Sequence, residues 1–277
     1  MRPRAVLAAA VLSLVLTGPH HSAAQQAAPD TTEGAPDDGA ALPVPPVPPR
    51  ISENPDYDRC LDMLPTDPSG ADSMAMAWSA AGGGEPAAHC HALAQIELGN
   101  PQTGAAMLDR LASISASPGA ARAEVLNQAA DAWTMAGQAD KAFASASLGI
   151  ALSPDDVELR IARAVAAAAL QRYDAAADDL SVALDIDPKR PDALTLRASA
   201  YRNEGKLDLA QTDIDSALAL DPENPDTLLE RGIIRQRRGD LVGARSDWQK
   251  AENLGEDTPV ADMAEQNLAL LDAGPRQ

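Results

Sequence analysis

Small, apolar and turn-forming residues recur along this chain with a period of 34 residues from residue 123 onward. Prolines hold one phase of the period, at Pro154, Pro188 and Pro222. Turn residues hold a second phase, at Gly137, Gln171, Gly205 and Gly239. Because glycine and proline interrupt regular structure, each period predicts two helices joined by a short turn.

Small residues also recur at the eighth, twentieth and twenty-seventh positions of each period, where two antiparallel helices would touch. A small side chain at these points lets the helices pack closely. The residues are Ala130, Ala142 and Gly149; Ala164, Ala176 and Ala183; Ala198, Ala210 and Ala217; and Gly232, Ala244 and Ala251. Alanine also has the highest helix propensity, so the pattern predicts paired helices rather than a sheet.

A period of 34 residues, built as helix, short turn and helix with a closing proline, resembles the tetratricopeptide repeat family. The resemblance implies an all-α fold, a right-handed superhelical solenoid of antiparallel helix pairs. It predicts repeat units at 123–156, 157–190, 191–224 and 225–258. Thr258 and Pro259 then suit the start of an amphipathic helix over 259–274, which would cap the last exposed core face.

Residues 54–122 are less regular, but helices are predicted at about 55–64, 70–81, 86–98 and 102–116 because prolines and glycines separate these stretches. Two degenerate repeats that continue the stack would fit this region. A small separate helical domain is the alternative.

Arginine and aspartate recur sixteen residues apart within three of the four units, on facing helices. The pairs are Arg163 with Asp179, Arg197 with Asp213, and Arg231 with Asp247. The first unit has Ala129 and Ser145 instead, so both members are missing together. We therefore predict structural ion pairs within units, in preference to a basic ladder for anionic ligands.

The first 24 residues have the pattern of a secretory signal peptide. A basic start with Arg2 and Arg4 precedes an apolar run from Ala5 to Leu16, and small residues follow before residue 25. The acidic and proline-rich stretch over 25–53 lacks helical periodicity and predicts a disordered segment. We therefore expect an exported protein, in a bacterial periplasm, with no membrane insertion after signal cleavage.

The composition narrows the range of partners. A formal net charge of −19 disfavours nucleic acid and anionic lipid, which both attract basic surfaces. Aromatic residues form only 3% of the chain, too few for platforms that stack single-stranded bases. A protein or peptide partner is the remaining expectation.

Two cysteines, Cys60 and Cys90, predict a structural disulfide in an exported chain. His89 and His91 flank the second cysteine, but they point to different sides of a helix and have no further histidine ligands after signal cleavage. Neither a metal site nor a cofactor is predicted. The sequence shows no catalytic motif, so no enzyme activity is predicted.

In the family that this chain resembles, the first helices of successive units line a concave groove that holds a partner segment. The corresponding residues are Asn127, Gln128, Asp131 and Met135; Ile161, Val165, Ala168 and Ala169; Thr195, Ser199, Arg202 and Asn203; and Leu229, Ile233, Gln236 and Arg237. This order is polar, then apolar, then basic. It predicts a ligand with an apolar centre and an acidic end.

The leading hypothesis is a non-enzymatic scaffold or assembly adaptor of the cell envelope that binds a partner segment in this groove. One alternative is a structural role through self-association, for example as a homodimer through the terminal helix. Another is an enzyme with a site in 54–122.

Overall fold

The computed structural model describes residues 50–274, which form thirteen α-helices and no β-strand. The helices are α1 (Pro55–Met63), α2 (Pro68–Ala80), α3 (Gly84–Glu97), α4 (Pro101–Ile114), α5 (Gly119–Met135), α6 (Ala139–Leu152), α7 (Val157–Ala169), α8 (Tyr173–Ile186), α9 (Pro191–Asn203), α10 (Leu207–Leu220), α11 (Pro225–Arg237), α12 (Leu241–Leu254) and α13 (Pro259–Ala273). The predicted signal peptide at 1–24 and the predicted disordered segment up to residue 49 lie outside the described residues.

The helices begin at residues suited to a helix N-terminus. Proline lies in the first turn of six helices, where its missing N–H leaves no hydrogen bond unmade. Side chains accept a hydrogen bond from a free backbone N–H at the start of five helices, namely at Asn54, Asp67, Asp156, Asn224 and Asp240.

The turn within each of the four regular pairs has a residue in the left-handed conformation. Gly137, Gly205 and Gly239 have φ values of 69°, 80° and 86°. Gln171 adopts the same conformation at φ 60°, although it carries a side chain. Its place in the 34-residue pattern therefore reflects the same turn geometry as the three glycines.

Each helix packs mainly against the helix before it and the helix after it in the chain. The packing between consecutive helices continues without a break from α4 to α5. The first helices of neighbouring pairs also touch, as in α5 with α7 and α9 with α11. The described residues thus form the predicted all-α solenoid of helix pairs.

The small residues of the repeat lie buried where two helices pack together, within a pair or between neighbouring pairs. At Gly149 an added Cβ would come within 2.9 Å of Leu159 Cδ1, and at Gly232 within 2.5 Å of Trp248 Cδ1. Both distances are shorter than van der Waals contact, so a side chain at either position would displace Leu159 or Trp248.

The predicted disulfide is present between Cys60 on α1 and Cys90 on α3. Both residues are fully buried, within a small cluster that includes Ala71, Ala75 and Ala94. The bond closes a loop with a sequence separation of 30 residues. It ties the first helix pair, whose core consists of small side chains, to the second.

Two boundaries differ from the sequence-based expectation. Helix α5 begins at Gly119, a full turn before residue 123, because Pro118 and not a residue of the regular pattern precedes its first turn. Residues 50–53 were predicted to be disordered, but Ile51 packs against the core of α3 to α5, and Arg50 forms an ion pair with Asp58. These contacts hold Arg50 and Ile51 against the helices.

The last helix, α13, covers the end of the stack. Val260 and Ala264 are buried, and Met263, Leu268 and Leu271 pack against the core formed by α9 to α12. Only Leu270 among its large apolar side chains is highly exposed, at 61%. Most of the apolar side of α13 is therefore used within the chain.

Candidate functional site

All sixteen residues predicted to line a groove lie on α5, α7, α9 and α11, the first helices of the four regular pairs, and we call this surface the first-helix face. Four of them are exposed: Met135, Ala169, Asn203 and Arg237. Nine are half-buried: Asn127, Gln128, Asp131, Val165, Ala168, Ser199, Arg202, Ile233 and Gln236. Three are buried: Ile161, Thr195 and Leu229.

The structure corrects the interpretation of the three buried residues. Ile161 is only 5% exposed and belongs to the core of α7 to α9, so it is not available to a ligand. Thr195 donates its hydroxyl proton to the carbonyl of Pro191 or shares it with Thr227 on α11. Sequence spacing predicts which residues share one side of a helix. It does not show which of them the neighbouring first helix buries.

The predicted basic end of the groove is also corrected. Arg202 forms a close ion pair with Glu230 of α11, and their side chains are only 13% and 9% exposed. Arg202 also donates to the hydroxyl of Ser199 at 3.1 Å. The guanidinium of Arg237 remains exposed and donates to the carbonyl of Arg202 at 2.9 Å. Since Glu230 neutralises Arg202, this end does not present two cations to an acidic ligand.

Glu230 was missed by sequence reasoning because its partner lies 28 residues away in a different unit. The periodic spacing reveals contacts within a unit, which repeat. A contact made once between two particular units leaves no periodic signal.

The other end of the first-helix face carries three hydrogen-bond acceptors, of which only Glu124 receives a hydrogen bond within the described residues, and we call Glu124, Asn127 and Asp131 the α5 acceptor cluster. Asn127 Oδ1 is buried and makes no hydrogen bond within the described residues. Among those residues, the carboxylate of Asp131 likewise has no hydrogen-bonding or ion-pairing partner. The three side chains share one side of α5 because they are three, four and seven residues apart.

Electrostatics at the α5 acceptor cluster disfavour negative charge. Burial, reinforced by the nearby carboxylates of Glu124 and Glu158, raises the pKa of Asp131 to about 7. Burial also raises the pKa of Glu124, against the effect of a hydrogen bond from Gln128. No cation among the described residues offsets the charge of Asp131. The cluster is therefore short of both donors and positive charge.

A series of hydrogen bonds links buried residues of α1 and α3 to Glu124 of this cluster. The hydroxyl of Tyr57 donates to His89 Nδ1 at 2.5 Å, and His89 Nε2 donates to Gln128 Oε1 at 2.6 Å. Gln128 Nε2 then donates to Glu124 Oε1 at 3.0 Å. Both ring nitrogens of His89 are thus used, and burial lowers its pKa to about 4, so the ring is neutral.

This chain connects α1, α3 and α5 and gives Glu124 a defined position. A carboxylate in the first turn of a helix is stabilised by the helix dipole. Because α5 begins at Gly119, that explanation does not hold for Glu124. A hydrogen bond from Gln128 holds it instead.

The three predicted arginine–aspartate pairs lie within their units. Both carboxylate oxygens accept from one guanidinium in each, as in Arg197 to Asp213 at 2.8 Å and 2.8 Å. The remaining two are Arg163 with Asp179 and Arg231 with Asp247. A second arginine also reaches two of the aspartates, Arg160 at Asp179 and Arg235 at Asp247.

The first unit replaces its missing pair with a different contact. Asp109 of α4 accepts from Trp133 Nε1 and from the hydroxyl of Ser145, both at 2.7 Å. Ser145 thus takes part in a hydrogen bond between pairs where the other units have an ion pair.

Within residues 50–274, His, Cys, Asp and Glu side chains form no group of three or more with the geometry of a metal site. Each helix of this range is too short or too polar to cross a bilayer.

Comparison with known proteins identifies the repeat. The family model described as tetratricopeptide repeat matches residues 136–191 and 195–256. The curated protein sequences contain no match to the chain.

Solved structures share the fold at low sequence identity. TTC0263, a tetratricopeptide repeat protein of Thermus thermophilus, is 19% identical with a TM-score of 0.56, over 67% of this chain and 100% of that one. MamA from Desulfovibrio magneticus RS-1, from residue 41, is 20% identical with a TM-score of 0.52, over 60% and 93%. YrrB, described as a tetratricopeptide repeat protein with an unusual peptide-binding site, is 16% identical with a TM-score of 0.50, over 69% and 96%.

The sequence period, the order of the helix pairs and these matches agree with one another. The small residues between the helices and the left-handed turn within each pair account for the agreement physically. Residues 136–191 and 195–256 of the chain are therefore tetratricopeptide repeats.

Proposed function

We propose that this chain is a non-enzymatic interaction scaffold that binds a segment of a partner protein along the first-helix face. The observation that carries the proposal is the α5 acceptor cluster. A buried amide oxygen without a donor and a half-buried carboxylate without a cation are both unfavourable in the free protein. A partner that brings a donor and a positive charge would relieve both.

The chemistry of the face favours a basic and aliphatic partner segment. A lysine or arginine side chain supplies donors and charge to the α5 acceptor cluster. The neighbouring helix α7 offers Val165, Ala168 and Ala169, which would accept an aliphatic side chain. This proposal replaces the acidic end predicted for the ligand, since Glu230 already neutralises Arg202.

Fold similarity gives separate support to segment binding. YrrB is described as having a peptide-binding site, and its fold is shared over 69% of this chain. At 16% identity the comparison carries no residue from that site to this chain. The argument for a binding surface here depends on the α5 acceptor cluster itself.

We also propose that the protein acts outside the cytoplasm, in the cell envelope. The predicted signal peptide is the main reason. The disulfide between Cys60 and Cys90 supports it, because structural disulfides persist mainly in oxidising compartments.

Self-association through α13 is less well supported. Its apolar residues mostly contact the core of the last pair, which leaves Leu270 as its one strongly exposed large side chain within the described residues. A single exposed leucine is ordinary for a protein surface.

Selection of a random 12-residue peptide library on the purified chain tests the proposal. We expect enrichment of peptides that place lysine or arginine next to aliphatic residues. Ala169→Lys, which adds a cation and bulk to the face, should weaken a selected peptide at least tenfold. Asp131→Asn should weaken the same peptide about fivefold, through loss of one charge contact.

The matched control is Ala106→Lys, the same change at an exposed alanine of α4. It should leave the affinity of the peptide within twofold of the wild type. Enrichment of acidic peptides, or equal losses in the Ala169→Lys and Ala106→Lys variants, would overturn the proposal.

A further inference from the structure

Exposed aliphatic residues recur in register on the second helices of the pairs, away from the first-helix face. Two sets, each spaced by 34 residues, share this property, and we call them together the second-helix row. With their exposed fractions they are Ile114 at 70%, Leu148 at 60% and Val182 at 37%, followed by Ile186 at 42%, Leu220 at 45% and Leu254 at 47%.

The two sets join on α8. Val182 and Ile186 lie four residues apart and so share one side of that helix. The buried small residues Ala176 and Ala183 face other helices, so the exposed side chains are not needed to hold the pair together. Isolated exposed leucines carry little meaning, but an aligned series on successive helices is characteristic of an interaction surface.

Carboxylates accompany the central part of the row. Asp178 and Asp185 on α8 and Asp215 on α10 are exposed. None of the three forms an ion pair with another described residue. Their carboxylates are therefore accessible to a cationic side chain of a partner.

The charge distribution decides which partner fits. A second copy of this chain, with a net charge of −19, would place aspartates against aspartates. An anionic lipid surface would be repelled for the same reason. A segment with an aliphatic side flanked by lysine or arginine would match both the apolar side chains and the carboxylates.

We propose that the second-helix row is a second docking surface, which binds an amphipathic helix with basic flanks from a partner protein. The aliphatic side of that helix contacts Leu148, Val182 and Ile186, and its basic residues pair with Asp178, Asp185 and Asp215. This proposal does not depend on binding at the first-helix face. With two surfaces, one chain would hold two partner segments at once.

A synthetic 14-residue amphipathic peptide of leucine and lysine is the probe, with a leucine and glutamate peptide of the same pattern for comparison. Fluorescence anisotropy with the full chain should show binding of the lysine peptide and at least tenfold weaker binding of the glutamate peptide. The triple variant Leu148→Ser, Val182→Ser, Ile186→Ser should bind the lysine peptide at least tenfold more weakly. Circular dichroism verifies that each variant is folded.

The control triple variant is Leu209→Ser, Leu241→Ser, Val242→Ser, which removes similarly exposed aliphatic residues at other repeat positions. Its affinity for the lysine peptide should lie within twofold of the wild-type affinity. The Ala169→Lys variant should also stay within twofold, because Ala169 lies on the first-helix face and not on the second-helix row. Equal loss in both triple variants, or equal binding of the two peptides, would overturn the proposal. A wild-type dimer in sedimentation that is lost only in the Leu148→Ser, Val182→Ser, Ile186→Ser variant would also overturn it, because the second-helix row would then bind a second copy of this chain.

Discussion

Asp131 joins the stability of the fold to its proposed function. Its folded-state pKa of about 7 lies above the ordinary value of 3.8, because burial and then Glu124 and Glu158 disfavour the charged form. The folded state therefore holds this proton more strongly than the unfolded state. The resulting stabilisation is complete below about pH 4 and is lost as the pH rises through 7.

Replacing Asp131 with asparagine should remove this dependence. We expect Asp131→Asn to raise the free energy of unfolding at pH 8 by about 1–3 kcal/mol and to change it little at pH 4. Urea denaturation at a series of pH values measures both. A variant that is less stable than the wild type at pH 8 would show that the ionised carboxylate has a stabilising partner.

Gly232 shows how one hydrogen atom decides the packing of a pair. An added Cβ would overlap the indole ring of Trp248, which is fully buried. We expect Gly232→Ala to lower the free energy of unfolding by about 1–3 kcal/mol, despite the better helix propensity of alanine. Gly119→Ala is the control: its nearest neighbour would be 3.9 Å away, so the change should be neutral or slightly stabilising.

Single residues also mark where sequence reasoning was insufficient. The places of Gly232 and Gln171 follow from the period, since each belongs to a contact or turn that every unit repeats. The pairing of Arg202 with Glu230 and the burial of Ile161 do not follow from it. Both depend on how one particular unit meets its neighbour.

At the scale of a helix pair, the arginine–aspartate contacts should differ in strength. Asp247 is 2% exposed and accepts from Arg231 and Arg235, whereas Asp213 is 8% exposed and accepts from Arg197 alone. Asp247→Asn should cost about 3–5 kcal/mol of unfolding free energy, because it leaves Arg231 without its counter-charge and Arg235 with only the longer contact to Asp240. Asp213→Asn should cost clearly less. Thermal denaturation of both variants decides the order, and the reverse order would contradict this account.

The disulfide belongs to the element scale as well. It restrains α1 and α3, and the loop that it closes predicts a contribution of about 3 kcal/mol. In the Cys60→Ser, Cys90→Ser variant we expect amide protons of α1 and α2 to exchange faster, with no change in α9 to α12. Each unit of a solenoid contacts only the units next to it, so the faster exchange should stay near the lost disulfide. Uniform acceleration along the chain would contradict this expectation.

Most helix boundaries could be predicted because prolines and glycines lie at or next to the ends of most helices. The start of α5 could not, since Pro118 and Gly119 lie outside the regular period and extend that helix by a turn. The order at residues 50–53 depends on Ile51 and Arg50 contacting distant residues. Composition carries no information on such contacts.

At the scale of the whole molecule, the period specified the class of fold, because every unit repeats the same small residues and turns. The candidate site was predictable only in outline. The repeat predicts which residues lie on the first-helix face, but the charge at each end of that face depends on which carboxylates form an ion pair. Glu230 forms an ion pair with Arg202, whereas Asp131 forms none with another described residue.

The central claim is that the first-helix face binds a partner segment. Its most direct test is affinity capture from an extract of the native cells with three baits: the purified wild-type chain, Ala169→Lys and Ala106→Lys. Captured proteins are identified by mass spectrometry, and circular dichroism verifies the fold of each bait. We predict a protein that the wild type and Ala106→Lys retain and Ala169→Lys loses, with a basic and aliphatic segment that binds the purified chain by itself. Capture of the same proteins by all three baits would contradict the claim.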